Sequence, residues 1–189
     1  MIYILGLLAK SGHGKTTVAR HLVDTCGAET RSLAAPMKRA VQKVFAFSDA
    51  QLWGTQAEKE EIDPRYGFSP RWLLQRLGTE GLRDEFGEDI HLQALLHALR
   101  KEEQARAMQD AATPCLYVVD DVRFPNDARF IAQGGPGFVG AVLKIVATDV
   151  PAPNHAGHAS ELSIDAVSDA DIVATVISSR ALGVPHLVA

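Results

Sequence analysis

The sequence predicts an α/β fold, a mostly parallel sheet flanked by helices. Three observations carry that expectation. Ile2-Tyr-Ile-Leu-Gly-Leu-Leu8 and Leu116-Tyr-Val-Val119 are continuous apolar runs, the composition of strands buried on both faces. Leu92, Leu95, Leu96 and Leu99 recur at i, i+3, i+4 and i+7, the stripe of a helix that buries one side. Strand-like and helix-like segments alternate along the chain, as they do where crossovers join parallel strands.

The chain has 189 residues, with 19 Lys and Arg against 23 Asp and Glu, a formal charge of −4. Its 47% hydrophobic and 22% charged residues exclude a disordered chain. The mild negative balance argues against a protein that coats nucleic acid, while leaving a local basic cleft open. Cys26 and Cys115 form no Cys-x-x-Cys, so no disulfide framework is expected and a reduced, cytoplasmic protein is. No apolar run approaches the ~18 residues of a membrane span, and the apolar start lacks a basic n-region, so neither a membrane partner nor a signal peptide is expected. One domain over 1–189 is expected, with a helical region at about 36–107.

The elements follow in order. A strand at 2–8 leads through a Gly-rich turn at 9–14 to a helix from Lys15 to about Thr25. A short strand near 30–35 precedes a helix opened by Pro36, whose missing N–H suits a first turn. Helices are expected at 49–57, 70–77 and 89–107. Ser69-Pro70 is a start signal, and Gly78-Thr79 is read as ending that helix and capping the next. Trp72 is expected in the core, Arg76 and Arg83 on the surface. Asp120-Asp121 is expected to end the second core strand, and Phe124-Pro125-Asn126 to be a turn with Asn126 capping a helix at 126–133. Gly134–Gly137 then turns into a strand at 138–146. The Pro-containing stretch 148–164 reads as a lid, followed by an edge strand at 171–174 and a C-terminal helix.

The chemistry is concentrated in Ala9-Lys-Ser-Gly12-His-Gly14-Lys15-Thr16, which departs from G-x-x-x-x-G-K-[ST] only at Ala9. A strand ends, the backbone must curl so that several N–H groups point inward, and Gly12 and Gly14 permit the curl. The following helix adds its positive N-terminal end. Ser11, Gly12, His13, Gly14, Lys15, Thr16 and Thr17 are therefore expected to hold the phosphates of a nucleotide, Lys15 reaching the β- and γ-phosphates and Thr16 ligating Mg²⁺. The His13 ring is read as a spacer. This makes the fold class that of a P-loop NTPase, and the short chain without an NKxD pattern favours a small kinase.

Further along stand Leu33-Ala-Ala-Pro36-Met-Lys38, Ser69-Pro-Arg71-Trp-Leu-Leu-Gln75-Arg-Leu-Gly78-Thr-Glu80, Asp121-Val-Arg123-Phe-Pro-Asn126 and His158-Ala-Ser160-Glu161. In that order behind a P-loop they resemble the phage-type deoxynucleoside monophosphate kinases over about residues 3–175. The resemblance implies Mg²⁺-ATP as donor and a dNMP as acceptor, and leaves a homodimer open. It implies catalytic roles for Lys15, Asp121 and Arg123, with Thr16 and Asp121 on Mg²⁺. Lys38, Arg71, Gln75, His158 and Glu161 would then bind the acceptor.

The residues also admit plainer readings. Lys38 stands where ligands collect beside strand ends, or is a solvated helix lysine. Arg71 and Gln75 share a helix face, suited to an anion and a base edge, or Arg71 is an exposed surface arginine. Asp121 orients a cation, or caps the next turn with Arg123 paired to it. His155 and His158 lack further ligands, so zinc is not expected. Where the family often carries Asn, in D-x-x-x-x-N, the run Asp171–Val176 ends in Val. Two other functions stay open: a kinase acting on 5-hydroxymethyluracil within DNA, and an ATP-binding module without transfer. Dephospho-coenzyme-A kinase fits the Ser69–Glu80 block less well.

Overall fold

The computed structural model describes residues 1–108, 115–148 and 163–178. Its strands are β1 (Ile2–Leu8), β2 (Glu29–Arg31), β3 (Leu116–Val122), β4 (Phe138–Ala147) and β5 (Ala174–Ser178), in the order β2-β3-β1-β4-β5. All four pairings are parallel. The helices are α1 (Lys15–Cys26), α2 (Ala35–Phe45), α3 (Asp49–Trp53), α4 (Gln56–Glu60), α5 (Pro70–Arg76), α6 (Asp84–Phe86), α7 (Ile90–Met108) and α8 (Pro125–Gln133). The expected class, a parallel sheet flanked by helices, is the one observed. Two compact units divide the chain: Met1–Ser32 with Ala94–Ala189, and Leu33–Gln93. Among the described residues no helix is long and apolar enough to cross a membrane.

The first unit is built around β1, which lies between β3 and β4. On one face Leu7, Val118, Ile145 and Val176 pack with Val18 and Ala19 of α1. On the other, α8 comes very close to the sheet. A Cβ on Gly140 would lie 2.2 Å from the Ile131 carbonyl oxygen, and one on Gly6 would lie 3.0 Å from Val122 Cγ2 and 3.1 Å from Ile131 Cδ1. Glycine at both positions is what lets the helix dock there.

The edge strand β2 has three residues, and charge holds it to α7. Arg31 pairs with Glu29 at 2.7 Å and Glu102 at 2.6 Å, and Arg106 also pairs with Glu29. Arg31 lies 5.0 Å from the centroid of the buried Tyr117 ring, whose hydroxyl donates to Glu103 at 2.8 Å. Burial and the Glu103 carboxylate push the Tyr117 phenol up. A short, charge-covered edge resists pairing with another chain.

The second unit is helical, with one isolated bridge between Asp63 and Phe68. Val41, Phe47, Leu52 and Leu73 form its core, flanked by Met37, Phe45, Phe68, Leu74 and Leu77. Where one helix over 49–57 is expected, there are two. Ser48 and Thr55 each cap a five-residue helix through a reciprocal capping box with Gln51 and Glu58, and the chain bends at Gly54 between them. Gly78-Thr79 does not end a helix either. The path runs from α5 through a π-helical stretch, Leu77–Arg83, into α6. Gly78 is needed for closeness, since its Cβ would lie 3.1 Å from Met37 Cε.

Four further expectations are corrected. Asp120 and Asp121 lie within β3, which runs to Val122, because β3 stays paired with β1 up to Leu8↔Val122. The cap of α8 is not Asn126. Phe124 is the N-cap, Pro125 opens the helix, and the buried Asp127 accepts from the Phe124 N–H at 3.2 Å and the Asn126 amide at 3.3 Å. The last strand is 174–178 and not 171–174, since Ser168 caps a 3₁₀ turn over Asp169–Asp171. Trp72 is 49% exposed, packing one face on Phe68 at 5.3 Å while Arg76 covers it at 5.5 Å. The expected C-terminal helix and most of the expected lid lie outside the described residues.

Gly140→Ala is expected to destabilise by about 1–3 kcal/mol, because a backbone carbonyl cannot move aside as a side chain can. Gly6→Ala, which meets only methyl groups, is expected to cost less. Urea unfolding followed by far-UV circular dichroism checks the order.

Candidate nucleotide-binding site

The site is built where β1 ends. After Leu8 the chain leaves the sheet, and Gly12 (φ 83°) and Gly14 (φ 94°) adopt the left-handed backbone that turns it into α1. Such angles suit glycine. Gly14 is the N-cap of α1 and has no side chain to bond the first N–H groups, so the helix start is capped by backbone alone. Thr17 and Val18 donate to the Gly14 carbonyl at 3.0 and 3.1 Å, and His13 N–H donates to the Lys10 carbonyl at 3.3 Å.

Side chains hold this curl. The Lys15 ammonium folds back over the loop, donating to the Ala9 carbonyl and, at 3.0 Å, to the Lys10 carbonyl. Lys10 itself pairs with Asp165 at 2.7 Å. The His13 ring is no spacer: its Nδ1 accepts from the Ala147 N–H, at 3.2 Å. Sequence offered no signal for this, because the partner is a backbone group 134 positions away. Ala9, at the one departure from the motif, is buried and is not among the residues of positive φ, so the loop does not require glycine there.

β3 adjoins β1 and brings Asp120 and Asp121 to the same end of the sheet. The Ser32 hydroxyl donates to Asp121 Oδ2 at 2.7 Å, which orients that carboxylate. Asp127, and not Asp121, caps the following turn. Among the described residues no cluster of three His, Cys, Asp or Glu could hold a metal. By chemistry alone, the Thr16 hydroxyl and the Ser32-oriented Asp121 carboxylate are oxygen donors of the kind a hard cation takes. Arg123 follows β3 directly and is half-buried.

In the second unit Lys38 lies on α2, its ammonium 5.9 Å from the Trp53 ring centroid. Arg71 is no exposed surface arginine, with 23% of its side chain exposed. It donates to Gln56 Oε1 at 2.8 Å and stands 3.7 Å from Glu60 Oε1. Gln75 lies one turn further along α5, half-buried. Thr79 is half-buried as well, and Arg83 is buried at 8% exposure, contrary to its expected place on the surface. Arg71, Gln75, Thr79 and Arg83 are thus each sheltered along the helical path. Lys59, which sequence did not single out, is half-buried, and burial and the Arg71 charge lower its ammonium. His158 and Glu161 lie outside the described residues.

The second unit is locked by Asp63, 3% exposed, whose carboxylate accepts from Arg65 Nη2 at 2.7 Å, Arg65 Nε at 2.9 Å and Gln51 Nε2 at 2.9 Å. The Arg65 hydrogen bonds hold this carboxyl well below the usual carboxylate range. A depressed folded pKa gives stability that is present above the unfolded value, about 4, and is lost as pH falls below it. Asp63→Asn is therefore expected to lower stability at pH 7, with its gap to wild type beginning to narrow only as pH falls below about 4 and closing only near the much lower folded value. Both tryptophans, Trp53 and Trp72, lie in this unit, so urea melts read by their fluorescence test it.

No family model matches the chain. A protein of Acanthamoeba polyphaga mimivirus named "Putative deoxynucleotide monophosphate kinase" is 35% identical over 174 residues, covering 90% of this chain and 86% of that one. The crystal structure of TT1252 from Thermus thermophilus is similar at 15% identity and a TM-score of 0.42, covering 94% of this chain and 88% of that one. In the first unit β1 forms the centre of a parallel sheet, and in the curled loop that leaves it the side chain of Lys15 closes over the turn. With that arrangement and an identity of 35% over most of both chains, this protein belongs to the deoxynucleotide monophosphate kinase family.

Proposed function

We propose that the chain transfers the γ-phosphoryl group of Mg²⁺-ATP to a deoxynucleoside monophosphate, giving the dNDP and ADP. The observation that carries this reading is the strand–loop–helix turn with Lys15 over its rim and the Ser32-oriented Asp121 on the adjacent strand.

The donor belongs to the first unit. Backbone N–H groups of Ser11 to Thr17 surround the phosphates, and the start of α1, which has no side-chain cap, favours their charge. Lys15 exchanges the Ala9 and Lys10 carbonyls for β- and γ-phosphate oxygens, a trade of neutral acceptors for charged ones. Thr16 and Asp121 hold magnesium, which when bound neutralises charge on the β- and γ-phosphates. Arg123 stabilises the charge that spreads over the transferring group. Lys38, Arg71 and Gln75 of the second unit, with His158 and Glu161, orient the acceptor. Arg71 meets a phosphate through its fork of donors, pre-set by Gln56 and Glu60, and Gln75 reads a base edge through its amide. Little covalent chemistry is asked of the protein, since positioning and electrostatics account for most of such a rate.

Lys15→Ala is expected to lower transfer at least about a hundredfold, the scale of losing one preorganised charge-stabilising donor. Arg71→Ala is expected to raise the acceptor KM about tenfold, the worth of a charge-assisted hydrogen bond, while leaving the ATP KM unchanged. Incubation with γ-labelled ATP and each of the four dNMPs, or with duplex containing 5-hydroxymethyluracil, tests the assignment. Label in a dNDP supports it. Label in the polymer alone favours a base-modifying kinase, and ATP bound without any transfer favours a binding module.

A further inference from the structure

β4 is longer than the strand beside it. β1 pairs with it from Ile2↔Phe138 to Leu8↔Lys144 and then leaves the sheet, while β4 continues to Ala147. Toward β5 the ladder stays intact through Ala147↔Ser178. Toward β1 the strand partner has gone, and a side chain from the departing loop takes its place. The Ala147 N–H donates to His13 Nδ1. A backbone N–H only donates, so Nδ1 is the bare, accepting nitrogen and the neutral ring carries its proton on Nε2. His13 sits between two glycines of positive φ, where the backbone has the least preference of its own for the curl. The ring therefore fixes the loop at its most permissive point, and fixes it to the strand next to β1.

We propose that His13 is a positioning residue for the phosphate donor, its Nδ1 tying the loop to the end of β4 so that the N–H groups around the phosphates are aimed before the nucleotide arrives. This rests on the nucleotide-binding reading of the loop. The tether needs an acceptor at one place, two bonds beyond Cβ on the branch that Nδ1 occupies. The Asn side-chain oxygen meets that requirement. Leu has a comparable shape and no acceptor, and leaves the Ala147 N–H unsatisfied. An untied loop is curled only part of the time, so it binds with its affinity reduced by the curled fraction. The chemistry after binding is unaffected, and the loss appears in KM for ATP and not in kcat.

Calorimetric titration of the full chain with Mg²⁺-ATP compares wild type, His13→Leu and His13→Asn, with melting temperatures alongside. His13→Leu is expected to bind about tenfold more weakly, the scale of one hydrogen bond and the group it strands, with an unchanged kcat at saturating ATP. His13→Asn is expected to restore affinity to within about threefold of wild type, because only the acceptor is required. Leu equal to wild type, or Asn as weak as Leu, overturns the proposal and leaves nucleotide binding intact. Wild-type protein that binds no nucleotide overturns the reading of the loop, and the proposal with it. If His13→Leu does not fold, nitrogen-15 spectra of the wild-type ring decide: Nδ1 bare is the expected result, and a proton on Nδ1 overturns the tether.

Discussion

The point on which the molecule turns is the end of β1. This strand has neighbours on both sides: β3, which ends level with it at Leu8↔Val122, and β4, which runs past it to Ala147. In an open parallel sheet such a place is a crevice at the carboxyl ends of the strands, where the order of connection reverses and ligands collect. The chain fills the crevice with its own backbone, a loop of residues 9–14 whose two left-handed glycines aim it into α1. Three separate restraints keep that backbone curled: Lys15 over two loop carbonyls, Lys10 on Asp165, and His13 on Ala147. The sheet supplies the position, and the side chains supply the shape.

The mildly acidic balance of the chain is compatible with an anionic ligand because the cations are distributed. Lys15 and Arg123 belong to the first unit, Lys38 and Arg71 to the second, while several other charged side chains pair with one another. The network of Arg31, Arg106, Glu29, Glu102 and Glu103 holds α7 to the sheet edge, and Asp63 with Arg65 closes a turn of the helical unit. Neutralised networks of this kind are structural. Lys59 on α4 differs from them: burial, and then the like charge of Arg71 on α5, lower its ammonium.

Much of this was legible in the sequence, and what was not has physical reasons. β1, its loop and α1 were readable residue by residue, since an apolar run, two glycines and Lys-Thr each have one structural use there. The breaks in the helical unit were less readable. Gly54 divides a segment that reads as one helix, because the two capping boxes around it are each satisfied only once the chain bends. Gly78 reads as a stop signal and is a place of close approach to Met37. Arg83 turns inward at the end of a π-helical stretch, which turns by more residues than an α-helical register assumes, while Trp72, on α5 ahead of that stretch, stays half outside, packed on Phe68 and covered by Arg76. The position where the family often has Asn, Val176, packs in the core of the first unit, which a local pattern cannot show. No periodicity announces the His13 contact, which joins a loop to a strand end far along the chain.

The claim underlying this account is that the curled loop at the end of β1 is the seat of the phosphate donor. Amide proton–nitrogen spectra of the full chain, recorded as a non-hydrolysable Mg²⁺-ATP analogue is added, address it without relying on turnover. The account predicts that the largest shifts fall on Gly12 to Thr17, with smaller ones at Asp121 and at Ala147 across the His13 contact. Saturating shifts confined to the second unit, with the loop amides unmoved, would contradict it.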